Sequence, residues 1–284
     1  MTSVDTRQPL LLGIDLEDVR DQLPNGHKFQ NRLKENVSVL LDSLAVNKIK
    51  GTFFTVGTLA QRHPHLIREI ASQGHEIAAH GHSHTQLTKM TPAEFAADLE
   101  RNIRALADAQ SSKVVGFRAP TFSLTPETQW AYEILAEHGV TYSSSVLPAR
   151  NPLFGWPDFG SHARVVSKNS GVLEIPMTLH AKPLPQVPLA GGVYLRVVPF
   201  ALTLWSLTRQ THHTPITTYI HPYDIDTAQE RFMHPDLNEN KMMNWLMYVN
   251  RDKALNRLGQ LMERCSVGRY CDWAADWSTP SQSG

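Results

Sequence analysis

Hydrophobic and polar positions follow two rhythms along most of the chain. Short, nearly unbroken apolar runs end in polar groups: "LLLGIDLED", "GTFFTVG", "HEIAAH", "VVGFRAP", "VTYSSSV" and "PITTYIHPYDID". Such runs suit parallel strands that are buried on both faces and deliver polar side chains at one end. The first is expected to end near Asp15. Between the runs the spacing turns helical, with Leu33, Val37, Leu40, Leu41 and Leu44 on one face. "LAQRHPHLIREIASQG" predicts the next helix, closed by Gly74. Thr91, Pro92 and Glu94 form a capping-box pattern that opens a long amphipathic helix. Further helices are predicted in "TPETQWAYEILAEHG", "VPFALTLWSLTRQ" and "KALNRLGQLMERC".

Repeated strand–helix units argue for a parallel α/β sheet or barrel, whose site lies where the C-terminal ends of the strands meet. Residues 148–192 break the rhythm and read as loops around one short strand, "GVLEIPM". A chain of 284 residues suits one domain, taken as residues 1–273, with 274–284 as a frayed tail.

Composition narrows the partners. Lys+Arg and Asp+Glu both number 27, so no global field draws the protein to nucleic acid or to an anionic membrane. Cys265 and Cys271 read as isolated thiols. The N-terminus lacks a basic head followed by a long apolar run, and no stretch approaches the roughly 20 apolar residues of a transmembrane helix. A cytoplasmic protein is the expectation.

The chemistry collects at the predicted strand ends. In "GHEIAAHGHSHTQL" His80 and His84 lie four apart, so one local turn could aim both imidazoles at one metal ion, with His82 pointing away. Asp15, Glu17, Asp18, Arg118 and His221 occupy other strand ends. Two neutral imidazoles and one carboxylate make a three-ligand site that leaves room for water. A second carboxylate could take that water's proton, and a separate histidine could protonate a leaving amine. These are the parts of a metal-dependent amidase. Zinc suits the ligands, and cobalt, nickel and iron fit the same set. Ser143–Ser145 carry no nucleophile elbow and read as a polar strand end. Tyr223, Trp156 and Phe154 are candidates for sugar stacking or for core. Residues 230–250 could form a lid, a docking surface or ordinary packing.

"GIDLED", "GTFFTVG", "GHEIAAHGHSH", "GFRAPTFS" and "YIHP", in that order, resemble the motif series of the polysaccharide deacetylases, a family of metal-dependent carbohydrate esterases. "YSSSVLPAR", "AGGVYLRVVPF" and "YVNRDKALNRLGQL" further resemble a bacterial subfamily with an added C-terminal region, often associated with exopolysaccharide or O-antigen gene sets. The resemblance implies a distorted, incomplete (β/α) barrel, with a core at about 10–225 and an extension at about 226–273. It implies Asp15 as catalytic base, His80 and His84 as metal ligands, Arg118 as the arginine that orients the base, and His221 as general acid. Thr121 stands where many relatives have a tyrosine whose backbone N–H helps form the oxyanion hole. Many relatives carry two adjacent aspartates where this chain reads Asp15-Leu16-Glu17-Asp18, so the carboxylate ligand is Glu17 or Asp18, with Glu17 favoured.

The implied activity is removal of an N-acyl group, N-acetyl first, from an amino sugar of a bacterial surface-glycan precursor. The substrate could be nucleotide-activated, lipid-linked or an oligosaccharide. Alternatives are a sugar deformylase, a cyclic-amide hydrolase on the same barrel, or a glycan-binding relative without turnover.

Overall fold

The computed structural model describes residues 7–151, 154–211, 214–235 and 237–278. Its first strands, β1 (Gln8–Leu11) and β2 (Gly13–Leu16), are one extended run interrupted at Leu12. Helix α1 (Leu33–Val46) buries the five residues spaced for one face and leads into β3 (Thr52–Thr55). The single helix expected next is two, α2 (Gly57–Arg62) and α3 (Pro64–Ser72). Pro64 has no N–H and disfavours helical geometry at the residue before it, and His63 accordingly sits at φ −128°. Strand β4 (Glu76–Ala79) precedes α4 (Pro92–Ala109). There Thr91 Oγ1 accepts from the Glu94 N–H, while the Glu94 carboxylate accepts from the Thr91 N–H at 2.8 Å.

Strand β5 (Gly116–Phe117), α5 (Ala131–Glu137) and β6 (Tyr142–Ser143) continue the alternation. The 148–192 stretch holds β7 (Arg164–Val165) and β9 (Ala190–Gly191) besides the expected β8 (Leu173–Glu174). Helices α6 (Gly192–Val197) and α7 (Phe200–Leu207) precede β10 (Ile216–Tyr219). Three further elements lack a periodic signal long enough to read: α8 (Lys241–Leu246), and, after α9 (Arg251–Arg264), β11 (Cys265–Gly268) and α10 (Tyr270–Ser278). Helix α10 takes in residues 274–278, which the sequence assigns to a frayed tail; 279–284 lie outside the described residues.

The strands form a nearly closed parallel barrel. One sheet runs β2-β3-β4-β5-β6-β8-β7, all parallel except the β7–β8 pair, and the other runs β11-β1-β10-β9. The β1/β2 run joins them: it pairs with β11 along its first half, with β3 along its second, and with β10 on its other side. Between β8 and β10 side chains replace the ladder. The Thr178 N–H donates to Thr217 Oγ1 at 2.7 Å and the Thr217 N–H to Thr178 Oγ1 at 3.0 Å. This is the parallel α/β arrangement that the strand–helix alternation predicts, in the distorted form that the family resemblance implies.

Both strand faces are buried, which explains the solid apolar runs. Leu10, Leu12, Ile14 and Phe53 pack in the main core with the helices, whereas Leu11, Phe54, Ala78 and Tyr142 form a second cluster with Tyr270. Successive side chains alternate faces, so Gly13, Asp15 and Glu17 share the inner side with Leu11. Both cysteines are free thiols. Among the described residues no helix is long and apolar enough to cross a membrane.

Candidate active site

Asp15 is buried on β2, and its Oδ1 accepts from Arg118 Nη1 at 2.6 Å. Arg118 follows β5 and is fully buried, its guanidinium 3.9 Å from the centroid of the Phe54 ring. A guanidinium has five N–H donors and cannot be neutralised, so its burial requires acceptors all round. They are Asp15, the Ser144 carbonyl (3.1 Å) and hydroxyl (3.3 Å), the Thr218 carbonyl (3.3 Å) and the Tyr270 hydroxyl (2.9 Å). Gly13 leaves room for this group. A Cβ there would come 2.8 Å from Arg118 Nη1 and 2.6 Å from the Thr218 carbonyl oxygen.

The sequence leaves Glu17 and Asp18 open as ligands, and the two neighbours face different partners. Glu17 lies on the inner side with Asp15; Asp18 is one position out of phase. The Asp18 carboxylate accepts from Arg20 Nη2 at 2.6 Å and from the Arg20 backbone N–H at 3.1 Å. Glu17, His80 and His84 instead bring one ligand atom each to within 4.8 Å of one another. His84 Nε2 is 2.6 Å from Glu17 Oε2, and the His80 and His84 rings meet edge-on at 5.0 Å.

The donor set fits a divalent ion. His80 Nδ1 lies 2.8 Å from the Arg118 carbonyl oxygen. A carbonyl only accepts, so Nδ1 carries the proton and Nε2 is left as a ligand atom, the usual outer support of a metal-binding histidine. Burial lowers the His80 pKa to about 4, which keeps the ring neutral. Burial opposes charge on Glu17 as well, but His84, His221 and His80 outweigh it and hold the carboxyl below its ordinary range. His84 is raised despite its own burial, because Glu17 faces it.

The loop bearing the histidines is held by α4. Buried Asp98 accepts from the His82 N–H (2.6 Å), the Ser83 N–H (3.2 Å) and the Ser83 hydroxyl (2.7 Å). One turn on, Asn102 accepts from the His80 N–H and donates to the Thr55 carbonyl. His84 occupies the left-handed region at φ 55°. The His82 ring lies against Gly57, away from the metal-type group.

His221 follows β10. Its Nε2 is 3.9 Å from Asp15 Oδ2 and 3.6 Å from Glu17 Oε1, and its Nδ1 is 2.9 Å from Asp224 Oδ2. Burial opposes the charged ring, but the hydrogen bond and charge of Asp224, with Glu17 and Asp15, raise its pKa to about 9. Asp224 is itself held below the ordinary carboxylate range against its burial, by Arg196 and His221. Arg196, fully buried on α6, donates through Nε to Asp224 at 3.1 Å and through Nη1 to the Val249 carbonyl at 2.6 Å. The Tyr223 ring stacks on His221 at 4.5 Å and 9°, and its hydroxyl donates to Glu17 at 3.3 Å.

These groups open into a cavity of about 240 Å³, which Thr121 and Phe154 also line. Thr121 has φ 54°. Leu237, Met243 and Met247 form part of the wall, so described residues of the 230–250 stretch line the site. Trp156 packs against Phe159 and the core. Ser144 and Ser145 bind Arg118 and the Ala119 N–H, a supporting role. Sequence reasoning misses Asp98, Asn102, Arg196 and Tyr270; only the period-two phase of residues 11–17, which separates Glu17 from Asp18, was available in advance.

Fold and site together define a parallel α/β barrel with a carboxylate and two histidines placed to hold a metal, beside a buried Asp–Arg pair and a His–Asp–Arg chain. Residues 21–143 match the polysaccharide deacetylase family, and residues 144–274 match a domain of unknown function (DUF3473). The N-terminal part of the chain is thus similar to the polysaccharide deacetylases, and its C-terminal part to that domain of unknown function. A chitooligosaccharide deacetylase from Bradyrhizobium sp. is 31% identical over 97 residues, 34% of this chain and 42% of that protein. The match thus spans less than half the length of that relative. Among solved structures, one from Mycobacterium smegmatis, assigned by name to the polysaccharide deacetylases, aligns over 100% of this chain and 96% of its own, with TM-score 0.65 and 20% identity. Puue allantoinase aligns over 99% and 93%, with TM-score 0.62 and 17% identity. At these identities the likeness is one of fold.

Proposed function

We propose that this chain hydrolyses an N-acyl group, N-acetyl first, from an amino sugar of a bacterial surface-glycan precursor inside the cell. One observation carries the reading: a carboxylate paired to a fixed cation and a histidine hydrogen-bonded to a buried aspartate stand 3.9 Å apart beside Glu17, His80 and His84. A base and an acid set by different environments are what amide hydrolysis needs. The match of residues 21–143 to the polysaccharide deacetylases and the chitooligosaccharide deacetylase among the relatives support an amino-sugar amide.

A divalent ion held by Glu17, His80 and His84, zinc being the best match, would polarise the amide carbonyl and lower the pKa of a bound water. Asp15 Oδ1 is occupied by Arg118, so Oδ2 is the oxygen that takes the water's proton. The Thr121 backbone N–H is the donor assigned to the developing oxyanion. His221 directs Nδ1 to Asp224, which leaves Nε2 to deliver a proton to the departing nitrogen. The carbon–nitrogen bond breaks, a carbon–oxygen bond to water forms, and the products are the free amine and the carboxylic acid.

The test is product analysis on free, nucleotide-linked, lipid-linked and oligomeric N-acetylated amino sugars. Acetate release with a matching free amine is expected. Formate release from N-formyl sugars alone would move the assignment to a deformylase, turnover of a cyclic amide alone to that class, and glycan binding without turnover to a non-catalytic relative.

A further inference from the structure

We infer that the region of unknown function, residues 144–274, is the outer support of the two proton-transfer residues, and that Tyr270 is the positioning residue through which it acts on Asp15. This rests on Asp15 and His221 acting as base and acid.

Every hydrogen-bond acceptor described for the Arg118 guanidinium, apart from Asp15, comes from that region: Ser144, Thr218 and Tyr270. The shortest bond that Nη2 donates is the one to the Tyr270 hydroxyl oxygen, at 2.9 Å. The phenol in turn donates to the Thr218 carbonyl at 3.3 Å, so it joins the guanidinium to β10, the strand that leads to His221. Tyr270 is fully buried, with its ring edge-on to Phe54 and stacked on Tyr142.

Its place is fixed from below the site. Tyr270 opens α10 directly after β11, which pairs with β1 residue for residue from Gln8↔Cys265 to Leu11↔Gly268. The Tyr270 N–H donates to Thr52 Oγ1 at 2.9 Å, and Thr52 donates to buried Glu76 at 2.6 Å. Glu76 also accepts from the Cys271 N–H and the Tyr142 hydroxyl. Thr52, Glu76 and Tyr142 are the first residues of β3, β4 and β6, the end of the barrel opposite the histidine loop. The C-terminal helix is therefore bolted across the barrel floor and sends one hydroxyl up to the cation that holds Asp15. The same region holds His221 through Asp224 and Arg196, the latter tied to the Val249 carbonyl. A reacting carboxylate displaced by about 1 Å can lose on the order of 100-fold in rate, so these supports bear on turnover as well as on stability.

Tyr270→Phe keeps both ring contacts and removes only the hydroxyl. Relative to wild-type acetate release, kcat is expected to fall by about 10-fold or more, with KM within about twofold and bound metal unchanged. In an Asp15→Asn background the same change should add nothing, because Tyr270 acts through Asp15. Ser144→Ala leaves α10 intact and should give a smaller loss, again in kcat alone. A Tyr270→Phe enzyme with wild-type kcat, a loss that follows bound metal, or losses that multiply with Asp15→Asn would overturn the inference. A crystal structure of Tyr270→Phe needs no substrate; it is expected to show the guanidinium displaced from Asp15, and an unmoved Arg118 would count against the role. Wild-type protein that releases no acyl group from any substrate would instead sink the proposed activity, so the two failures are distinguishable.

Discussion

The two halves of the site are held in opposite ways. The histidine loop is tied to one helix close by in sequence: Asp98 and Asn102, one turn apart on α4, take the N–H groups of His80, His82 and Ser83. The half proposed to transfer protons depends on distant residues. Arg118 reaches Tyr270 across 152 positions, and Arg196 reaches Asp224 across 28 and Val249 across 53. The two histidines are held from residues before 143, whereas the proposed base and acid draw most of their partners from beyond it. Disturbing α4 should therefore release metal, and disturbing the C-terminal region should cost rate while metal stays bound.

The largest effect is expected from Arg196→Leu. It removes one of the two cationic partners of buried Asp224 and leaves only His221 against it, a change that costs up to about 3–5 kcal/mol. Urea unfolding should register that loss, and the surviving folded protein should keep metal but turn over slowly. A cost below about 1 kcal/mol would mean that the acid is held by something else.

On the other side, Asp98→Ala strips three donors of their acceptor. It should destabilise by about 2–3 kcal/mol and weaken metal binding by about 10–100-fold. Metal titration monitored calorimetrically reads this directly, and unchanged affinity would break the contrast. Gly13→Ala comes next, at about 1–3 kcal/mol by thermal unfolding, since the added methyl collides with Arg118 and a backbone carbonyl. Its rate should fall further than its metal content.

The smallest effect is a shift along the pH axis. The folded pKa of His221, about 9, lies above its ordinary value near 6.5. The stabilisation of its charged form is therefore complete below about pH 6.5 and is lost as pH rises toward 9. Activity that needs the protonated ring should fall on the same alkaline side. Asp224→Asn removes the neighbour that raises this pKa and should move the alkaline limb of kcat down by about one unit or more. An unmoved limb would separate Asp224 from the acid.

How much of this was legible in advance follows from the same contrast. Asp15, His80, Arg118 and His221 sit at ends of strands whose apolar runs are plain, so the chain's own pattern exposes them. Glu17 and Asp18 look equivalent as residue types but differ in strand phase, and the Arg20 contact of Asp18 depends on a turn that spacing does not encode. Arg196 lies within the quoted "AGGVYLRVVPF" but nothing there marks its role, and Tyr270 gave no signal. Their burial comes from contacts across the barrel, and a lone arginine in "VYLRV" or a tyrosine in "GRYCDW" reads as surface. Helix α8 and strand β11 were missed because six and four residues hold too little periodicity, while the α2–α3 break at Pro64 was visible in the sequence as a proline inside a helical run.

The most direct test compares Asp15→Asn with His80→Ala in the same two assays, bound metal and acetate release. The account predicts that Asp15→Asn retains stoichiometric metal and loses the rate, whereas His80→Ala loses both. Wild-type turnover in Asp15→Asn, or full activity in a metal-free His80→Ala protein, would contradict it.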